Sequence, residues 1–295
     1  MSAVVDIIEP CQVRVRHPME CRPRRPEQGP AWSPSRSRRR DPRDAGQPHV
    51  MDPPTRFAAK LVAAQNLGAV RINFIYAAWM SMTAAHSEKA GRDQYFEGPH
   101  ETYGFRYHEI DPTVLDLQYQ AIGVHWKSLA GRDYHMTLDW AVETETHDII
   151  FGEDKASDDY FDDPDLNEKL EFAQALIEDY GASLERRVKG GLKSDIERRV
   201  VKDIFDARRT EVDDAVAARV RQHVQSAGGT ASLGEVLKVI NLHDALSLDT
   251  ARALMFRRVV SMPISTPPMP DTPVTLPPPA QKGALRKFLA DFVPA

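Results

Sequence analysis

The fold is decided by residues 133–155, DYHMTLDWAVETETHDIIFGEDK. Apolar side chains alternate along 133–142, and a second apolar run lies within 148–155. A period of two residues indicates β-strands. The turn Ala130-Gly131-Arg132 comes directly before them and predicts a hairpin with residues 122–128. We therefore expect an antiparallel meander that ends on the strand 148–155.

The segments around this meander extend the pattern in both directions. Residues 55–85 are rich in alanine and predict helix. The order that follows, which is helix, antiparallel strands, helix and strand, is that of a mixed α/β domain. Its further predicted elements are a helix at 100–110 that ends at Asp111-Pro112, a strand at 114–125, a helix at 165–180 that ends at Gly181, and a strand at 182–188.

The sequence after residue 190 is of a different kind. Four segments with helical spacing of apolar residues follow one another closely, and this arrangement predicts a helix-turn-helix or winged-helix module. The seven prolines of 266–280 indicate a linker. The apolar positions of 285–292 indicate a frayed tail, with docking on a partner helix as the alternative. The four helices are predicted at 192–207, 212–226, 232–240 and 247–257.

These patterns divide the 295 residues into four parts. Residues 1–50 hold ten arginines, six acidic residues and eight prolines without apolar periodicity, so we expect a disordered basic tail. The alternatives for this segment are translated upstream sequence before Met51 and a functional basic arm. The other predicted parts are an α/β domain at 51–189, a helical domain at 190–263, and a proline-rich linker with a C-terminal tail at 264–295.

Composition argues against several classes of protein. No run of about 18 apolar residues exists, so we expect no membrane-spanning helix. The N-terminus lacks the apolar core of a secretory signal. Cys11 and Cys21 are the only two cysteines, too few for a four-cysteine zinc site or a disulfide framework. We therefore expect a cytoplasmic protein.

The formal net charge of −5 conceals blocks of opposite sign. Residues 139–165 hold eleven acidic residues and one lysine, whereas 185–209 hold nine basic residues and five acidic ones. The acidic block suits a metal ion and the basic block suits phosphate, although the interleaved acids also fit a helix with many ion pairs. The predicted contacts to a DNA backbone are Arg186, Arg187, Lys189, Lys193, Arg198 and Arg199.

Three carboxylates and a lysine form the candidate catalytic site. Asp139 lies in the predicted strand 133–142, and Glu153 and Lys155 share one face of the next strand because they are two residues apart. Glu101 lies on the preceding helix, which can pack over the same end of the sheet. Converging carboxylates favour a hard cation such as Mg²⁺, and this cation with a nearby lysine can hydrolyse a phosphodiester. The alternative is a surface Glu–Lys pair beside a solvated acidic loop.

Residues 100–181 resemble the catalytic domain of the TnsA family, transposon endonucleases of the restriction-endonuclease-like PD-(D/E)xK superfamily. Thr137-Leu138-Asp139-Trp140-Ala141-Val142 resembles the family's TPDF-V strand, and Gly152-Glu153-Asp154-Lys155-Ala156 resembles its VEVKA strand. The other matching segments are Glu101, Ile110-Asp111-Pro112-Thr113-Val114, Gln118-Tyr119-Gln120 and the helix 166–181. The departures are Leu138 and Ala121 in place of prolines, and Asp154 as an additional acid.

The resemblance implies both a fold and an activity. The implied fold is α/β, with a restriction-endonuclease-like core (helix, antiparallel β-meander, helix, strand) followed by a helical winged-helix-like domain. Asp139, Glu153 and the main-chain carbonyl of Asp154 would bind Mg²⁺, for which Mn²⁺ can substitute. Glu101 would be an outer or second-metal ligand, and Lys155 would position the attacking water. Enzymes of this family cut the 5′ strand ends of a transposon in double-stranded DNA, together with a DDE transposase, TnsB, and an ATPase regulator, TnsC.

Other interpretations remain open. The same chemistry fits a stand-alone nuclease in restriction or repair, and the fold alone fits a non-catalytic DNA-binding or assembly protein. The acids of 158–165 suit a solvated loop and a helix start better than a second metal site. The histidines of the α/β part have no zinc-binding spacing, so we interpret them as surface or packing residues. They are His100, His108, His125, His135 and His147.

Overall fold

The computed structural model describes residues 59–71, 82–127, 131, 133–241, 244–279 and 281–293, all within one compact unit. The described chain is a mixed α/β fold, as the sequence predicts. No helix in these ranges is long and apolar enough to cross a membrane. The predictions for residues 1–50 lie outside the described residues.

The regular elements are numbered in chain order. The strands are β1 (Lys60–Ala63), β2 (Met82–Ser87), β3 (Arg92–Glu97), β4 (Val114–Tyr119), β5 (Ile122–Lys127), β6 (Asp133–Thr137), β7 (Trp140–Thr144), β8 (Ile149–Lys155), β9 (Ser183–Val188), β10 (Thr230–Ser232) and β11 (Pro273–Thr275). The helices are α1 (Gly98–Ile110), α2 (Pro164–Asp179), α3 (Asp195–Asp206), α4 (Asp214–Ser226), α5 (Leu233–Ile240), α6 (Asp244–Phe256) and α7 (Ala284–Ala290).

A four-stranded sheet lies at the centre of the fold, with its strands in the order β4-β7-β8-β9. The first three strands pair antiparallel, whereas β8 and β9 pair in parallel. A parallel pair needs a crossover connection, which helix α2 supplies. The predicted strands at 148–155 and 182–188 and the predicted helices at 100–110 and 165–180 are confirmed.

Strands β5 and β6 belong to a second sheet, in the order β1-β5-β6, whereas the sequence pattern predicts one continuous meander. The predicted single strand at 114–125 is split at Gln120, whose φ is 50°, and the predicted strand at 133–142 is split at Leu138 and Asp139. The placement of Asp139 within a strand is therefore wrong. Alternation of apolar residues continues in phase through the break at Leu138 and Asp139, whereas it changes phase between Ala121 and Ile122, where the chain passes from β4 to β5.

The helix predicted over 55–85 is also wrong wherever the structure describes this segment. Residues 60–63 form β1, which pairs with β5, and residues 82–87 form β2, which pairs with β3. Leu61 and Ala63 are buried in β1 at alternate positions. Tertiary pairing of the strands has outweighed the high helix propensity of the alanines.

The four helices predicted after residue 190 are confirmed as α3 to α6, but the expected linker at 266–280 is wrong. Strand β11 lies within it, pairs antiparallel with β10, and buries Val274. Ser261 forms a further antiparallel bridge with Thr275. The proline-rich sequence therefore returns the chain to the helical part instead of leading away from it.

The expected frayed tail at 285–292 is a helix that packs on the core. Leu285 and Leu289 of α7 are fully buried. The carboxylate of Glu143 accepts hydrogen bonds from the main-chain N–H groups of Gly283, at 2.8 and 3.1 Å, and Leu285, at 3.1 Å. These donors at the start of α7 have no partner within the helix, so Glu143 satisfies them and fixes its position.

Two clusters of apolar side chains cover the faces of the central sheet. One contains Phe105, Leu117 and Trp140 and continues without interruption into helices α3 to α6. The other contains Phe151 and Ile177 and includes the apolar side of α7. The apolar packing is thus continuous across residue 190, and the division into domains at that point stays a prediction.

Candidate active site

Asp139 lies where the chain passes from one sheet to the other. Its main-chain N–H donates to the carbonyl of Gly152 at 3.0 Å, and its own carbonyl accepts from the N–H of Gln120 at 2.8 Å. Its carboxylate Oδ2 accepts from the N–H of Asp154 at 2.8 Å. These bonds hold both the backbone and the carboxylate of Asp139 beside the end of strand β8.

Glycine at position 152 is required for this close approach of β7 and β8. A Cβ at Gly152 would lie 1.9 Å from Cζ2 of Trp140, far inside contact distance. The indole of Trp140 therefore packs directly on the backbone of β8 and is buried in the core. This close packing places the preceding residue, Asp139, within hydrogen-bonding distance of Asp154 at the end of β8.

Glu153 and Lys155 lie on one side of β8, as their spacing predicts. The Nζ of Lys155 donates to Oε1 of Glu153 and lies 3.9 Å from Oδ2 of Asp139. It also donates to the carbonyl oxygen of Asp154 at 3.4 Å. The ammonium group of Lys155 thus lies between the two carboxylates and beside the carbonyl.

Glu101 completes the group from helix α1. It is buried, and its Oε2 accepts a hydrogen bond from the N–H of Glu97 at 2.9 Å. Burial is the main cause that raises the pKa of Glu101 to about 8, and the negative charges of Glu97, Asp154 and Glu153 contribute. The residues Glu101, Asp139 and Glu153 are called the acidic cluster below.

Burial also raises the pKa of the carboxyls of Asp139 and Glu153 above their ordinary values, and Glu153 adds to the effect on Asp139. Lys155 opposes both shifts. Burial disfavours the ammonium of Lys155, but Glu153 and Asp139 outweigh this effect and raise the pKa of Lys155. One lysine does not balance three buried carboxylates, so a bound cation would stabilise their charged forms.

The oxygen atoms of the acidic cluster suit a hard cation. Oε2 of Glu153 is buried and accepts no hydrogen bond from a described residue, which leaves its lone pairs available. The described part of the chain contains no group of three or more His, Cys, Asp or Glu side chains arranged to hold a metal. The ligands would therefore be the carboxylates of Asp139 and Glu153 and the carbonyl of Asp154, with water and phosphate completing the set, which is usual for Mg²⁺.

The side chain of Asp154 does not take part in the acidic cluster. Its Oδ1 and Oδ2 accept hydrogen bonds from Nε and Nη2 of Arg187 at 3.1 and 3.0 Å. The side chains of Asp154 and Arg187 are 0% and 5% exposed. Arg187 also contacts Nε2 of His108 at 2.6 Å and lies 3.9 Å from the ring centroid of Trp140. The predicted DNA contact of Arg187 is wrong because the core encloses its guanidinium.

The other predicted DNA-binding residues differ in their surroundings. Arg186 donates to the side chain of Asn167, and Arg198 forms an ion pair with Asp195. The pair of Arg198 fits the alternative of a helix with many ion pairs. The remaining three residues are exposed and form no ion pair with a described residue; they are Lys189, Lys193 and Arg199. DNA contact by these residues stays a prediction.

No family model matches the chain, and no curated protein matches it. What remains is a resemblance to the TnsA family in the segments 137–142 and 152–156 and their neighbours.

Sequence reasoning missed Arg71, which lies at the edge of the acidic cluster. Its Nη2 is 3.3 Å from Oε1 of Glu97, and its charge lowers the pKa of Glu153. Arg71 lies in the segment where a helix was expected, and no motif in the sequence includes it. The buried contact of His108 with Arg187 supports the interpretation of His108 as a packing residue.

Proposed function

We propose that the protein is a metal-dependent endonuclease that hydrolyses phosphodiester bonds in DNA. The observation that carries this proposal is the position of Lys155 Nζ, hydrogen-bonded to Glu153 and 3.9 Å from Asp139. Burying three carboxylates beside one lysine lowers the stability of the folded protein, so their position calls for a functional explanation. Such an arrangement is typical of catalytic sites, where a cation and substrate compensate the charge.

The order of elements supports a restriction-endonuclease-like core. Helix α1 precedes the antiparallel strands β4, β7 and β8, and helix α2 then leads to β9. This is the order helix, meander, helix and strand that the resemblance to TnsA implies. Together with the matching residues, it favours an enzyme that cuts the 5′ strand ends of a transposon with a TnsB-like DDE transposase and a TnsC-like ATPase.

The helical part supports a winged-helix-like domain. The order α4, β10, α5, α6 is followed by the bridge of Ser261 with Thr275 and by strand β11, and residues 262–272 lie between them in the position of a wing. Helix α6 packs against α3 and is not basic. We therefore assign DNA binding in this part to the exposed basic residues near α3 and not to α6.

In this proposal, residues of the chain bind the cation, orient the attacking water and compensate negative charge on the phosphate. Asp139, Glu153 and the carbonyl of Asp154 would hold Mg²⁺ or Mn²⁺. Glu101 would be an outer ligand that holds a water molecule at the edge of the metal site. When bound, the cation lowers the pKa of a coordinated water and neutralises charge on the phosphate. The ammonium of Lys155 orients the attacking water and stabilises the negative charge that develops on the phosphate oxygens.

Cleavage of supercoiled plasmid in Mg²⁺, with and without the partner transposase, tests this function. We expect Asp139→Asn and Lys155→Met each to lower the rate by about 100-fold or more, as for the loss of other groups that stabilise transition-state charge. Asp159→Asn is the matched control, because this exposed acid lies in the acidic block but outside the acidic cluster. Its rate should equal that of the wild type.

Two further measurements separate function from folding. Melting temperatures should not fall in Asp139→Asn, since the substitution removes a buried charge. Binding of Mn²⁺ to the wild type, measured by calorimetry, should be lost in the same variant. Equal cleavage by Asp139→Asn and wild type would refute the proposed site. Cleavage without a transposase would favour a stand-alone nuclease, and DNA binding without cleavage or Mn²⁺ binding would favour a non-catalytic role.

A further inference from the structure

The backbone before Arg71 is hydrogen-bonded, through Gln120, to the connection between β6 and β7 that contains Asp139. The N–H of Val70 donates to the carbonyl of Gln120 at 2.8 Å, and the N–H of Gln120 donates to the carbonyl of Asp139 at 2.8 Å. Gln120 has a φ of 50°, a backbone conformation that residues other than glycine rarely adopt. Such backbone is kept where the surrounding structure requires it, often at functional sites.

The side chain of Arg71 is directed to the acidic cluster from the side of helix α1. Its Nη2 lies 3.3 Å from Oε1 of Glu97, whose main-chain N–H donates to Glu101. Arg71 is therefore connected to Glu101 through Glu97, and to Asp139 through the backbone bonds of Val70 and Gln120.

The guanidinium of Arg71 is free to bind an anion. Its side chain is 44% exposed, and it forms no hydrogen bond to a described residue other than Glu97. Only Nη2 of Arg71 contacts Glu97, and its Nε and Nη1 form no hydrogen bond to a described residue, so they can donate to a phosphate while the pair with Glu97 is kept. The planar fork of an arginine can donate two parallel hydrogen bonds to one phosphate.

A substrate with many phosphates needs positive charge beside the acidic cluster. Lys155 already interacts with Glu153 and Asp139, and Arg187 is enclosed in the core. We propose that Arg71 binds a backbone phosphate of the DNA next to the phosphate that is hydrolysed. This inference rests on the proposed nuclease function and adds a residue that holds the substrate in place.

The test compares Arg71→Ala and Arg71→Lys with Arg219→Ala. Arg219 is the control because it is an exposed arginine on α4, so the same charge is removed elsewhere. Affinity for a DNA duplex is measured in Ca²⁺, which commonly permits binding without cleavage, and the Michaelis constant in Mg²⁺. For Arg71→Ala we expect about tenfold weaker binding, in line with the loss of a charge-assisted hydrogen bond. The slope of the logarithm of the binding constant against the logarithm of the salt concentration should fall by about one, as for the loss of one phosphate contact.

The affinity of Arg71→Lys for the DNA duplex should be about threefold lower than that of the wild type, because a lysine keeps the charge but not the paired hydrogen bonds. The Michaelis constant should rise in Arg71→Ala while the turnover number stays within about twofold of wild type. Mn²⁺ affinity should not change. Identical binding by Arg71→Ala and Arg219→Ala, in a wild type that cleaves, would overturn this inference alone. A wild type that neither binds Mn²⁺ nor cleaves would overturn the proposed function and this inference with it.

Discussion

Replacing Arg187 by methionine should destabilise the protein strongly, because it leaves a buried charge without a partner. The carboxylate of Asp154 is 0% exposed and loses both hydrogen bonds from Arg187. Breaking a buried ion pair by removing one partner costs about 3–5 kcal/mol. The stacking of Arg187 on Trp140, at 3.9 Å, adds about 1 kcal/mol more. The total of about 4–6 kcal/mol should lower the melting temperature by about 8–24 °C, since each kcal/mol shifts a domain of this size by about 2–4 °C.

A double-mutant cycle in urea tests the reasoning. Asp154→Leu combined with Arg187→Met removes both charges, and replacing a buried pair by apolar side chains of similar volume is often close to neutral. We expect the double variant to recover most of the free energy of unfolding that Arg187→Met loses. A loss below about 1 kcal/mol in Arg187→Met, or single losses that add in the double variant, would refute the description of a closed ion pair.

Three further changes test the packing around the site and the C-terminus. Gly190→Ala should cost about 2–4 kcal/mol in urea unfolding, because its φ is 70° and a Cβ would lie 2.5 Å from a backbone nitrogen of α1; Gly181→Ala, with φ 80° and open space around it, should cost only about 1–2 kcal/mol. Leu289→Ala should lose about 2–5 kcal/mol and increase proteolysis near the C-terminus, and an unchanged stability would argue against the docking of α7. Burial disfavours the charged form of Glu143, but the N–H groups at the start of α7 outweigh this effect and lower the pKa of Glu143. The stability that this charge contributes should be present above about pH 4.3 and should be lost as the pH falls below it. Glu143→Gln should flatten this pH dependence of the melting temperature.

The parts of the fold that could be predicted are those specified by local sequence. Helix α2 has Asp163 at its cap and Gly181 after its end, and both signals are visible without a structure. Strand β8 is a short apolar run. The break at Asp139 could not be predicted, because alternation continues through it and only the pairing of distant strands decides which sheet receives each half. The break near Gln120 did leave a signal, since the apolar positions change from odd to even between Ala121 and Ile122.

The same distinction applies to the candidate site. The two-residue spacing of Glu153 and Lys155 places them together on any strand, so sequence alone brings them together. The pairing of Asp154 with Arg187 spans 33 residues and depends on the parallel register of β8 and β9. Without that register, Arg187 resembles any other member of a basic block, and Arg71 gives no signal at all.

The docking of α7 has a consequence for biosynthesis. The helix closes over Phe151 on the strand that carries Glu153, yet it is made last among the described elements. A nascent chain that has not passed Leu289 leaves the carboxylate of Glu143 and the apolar face of the sheet without their cover. The central sheet can therefore reach its final stability only after α7 has been synthesised and has docked, so the strand that carries Glu153 is completed late in folding.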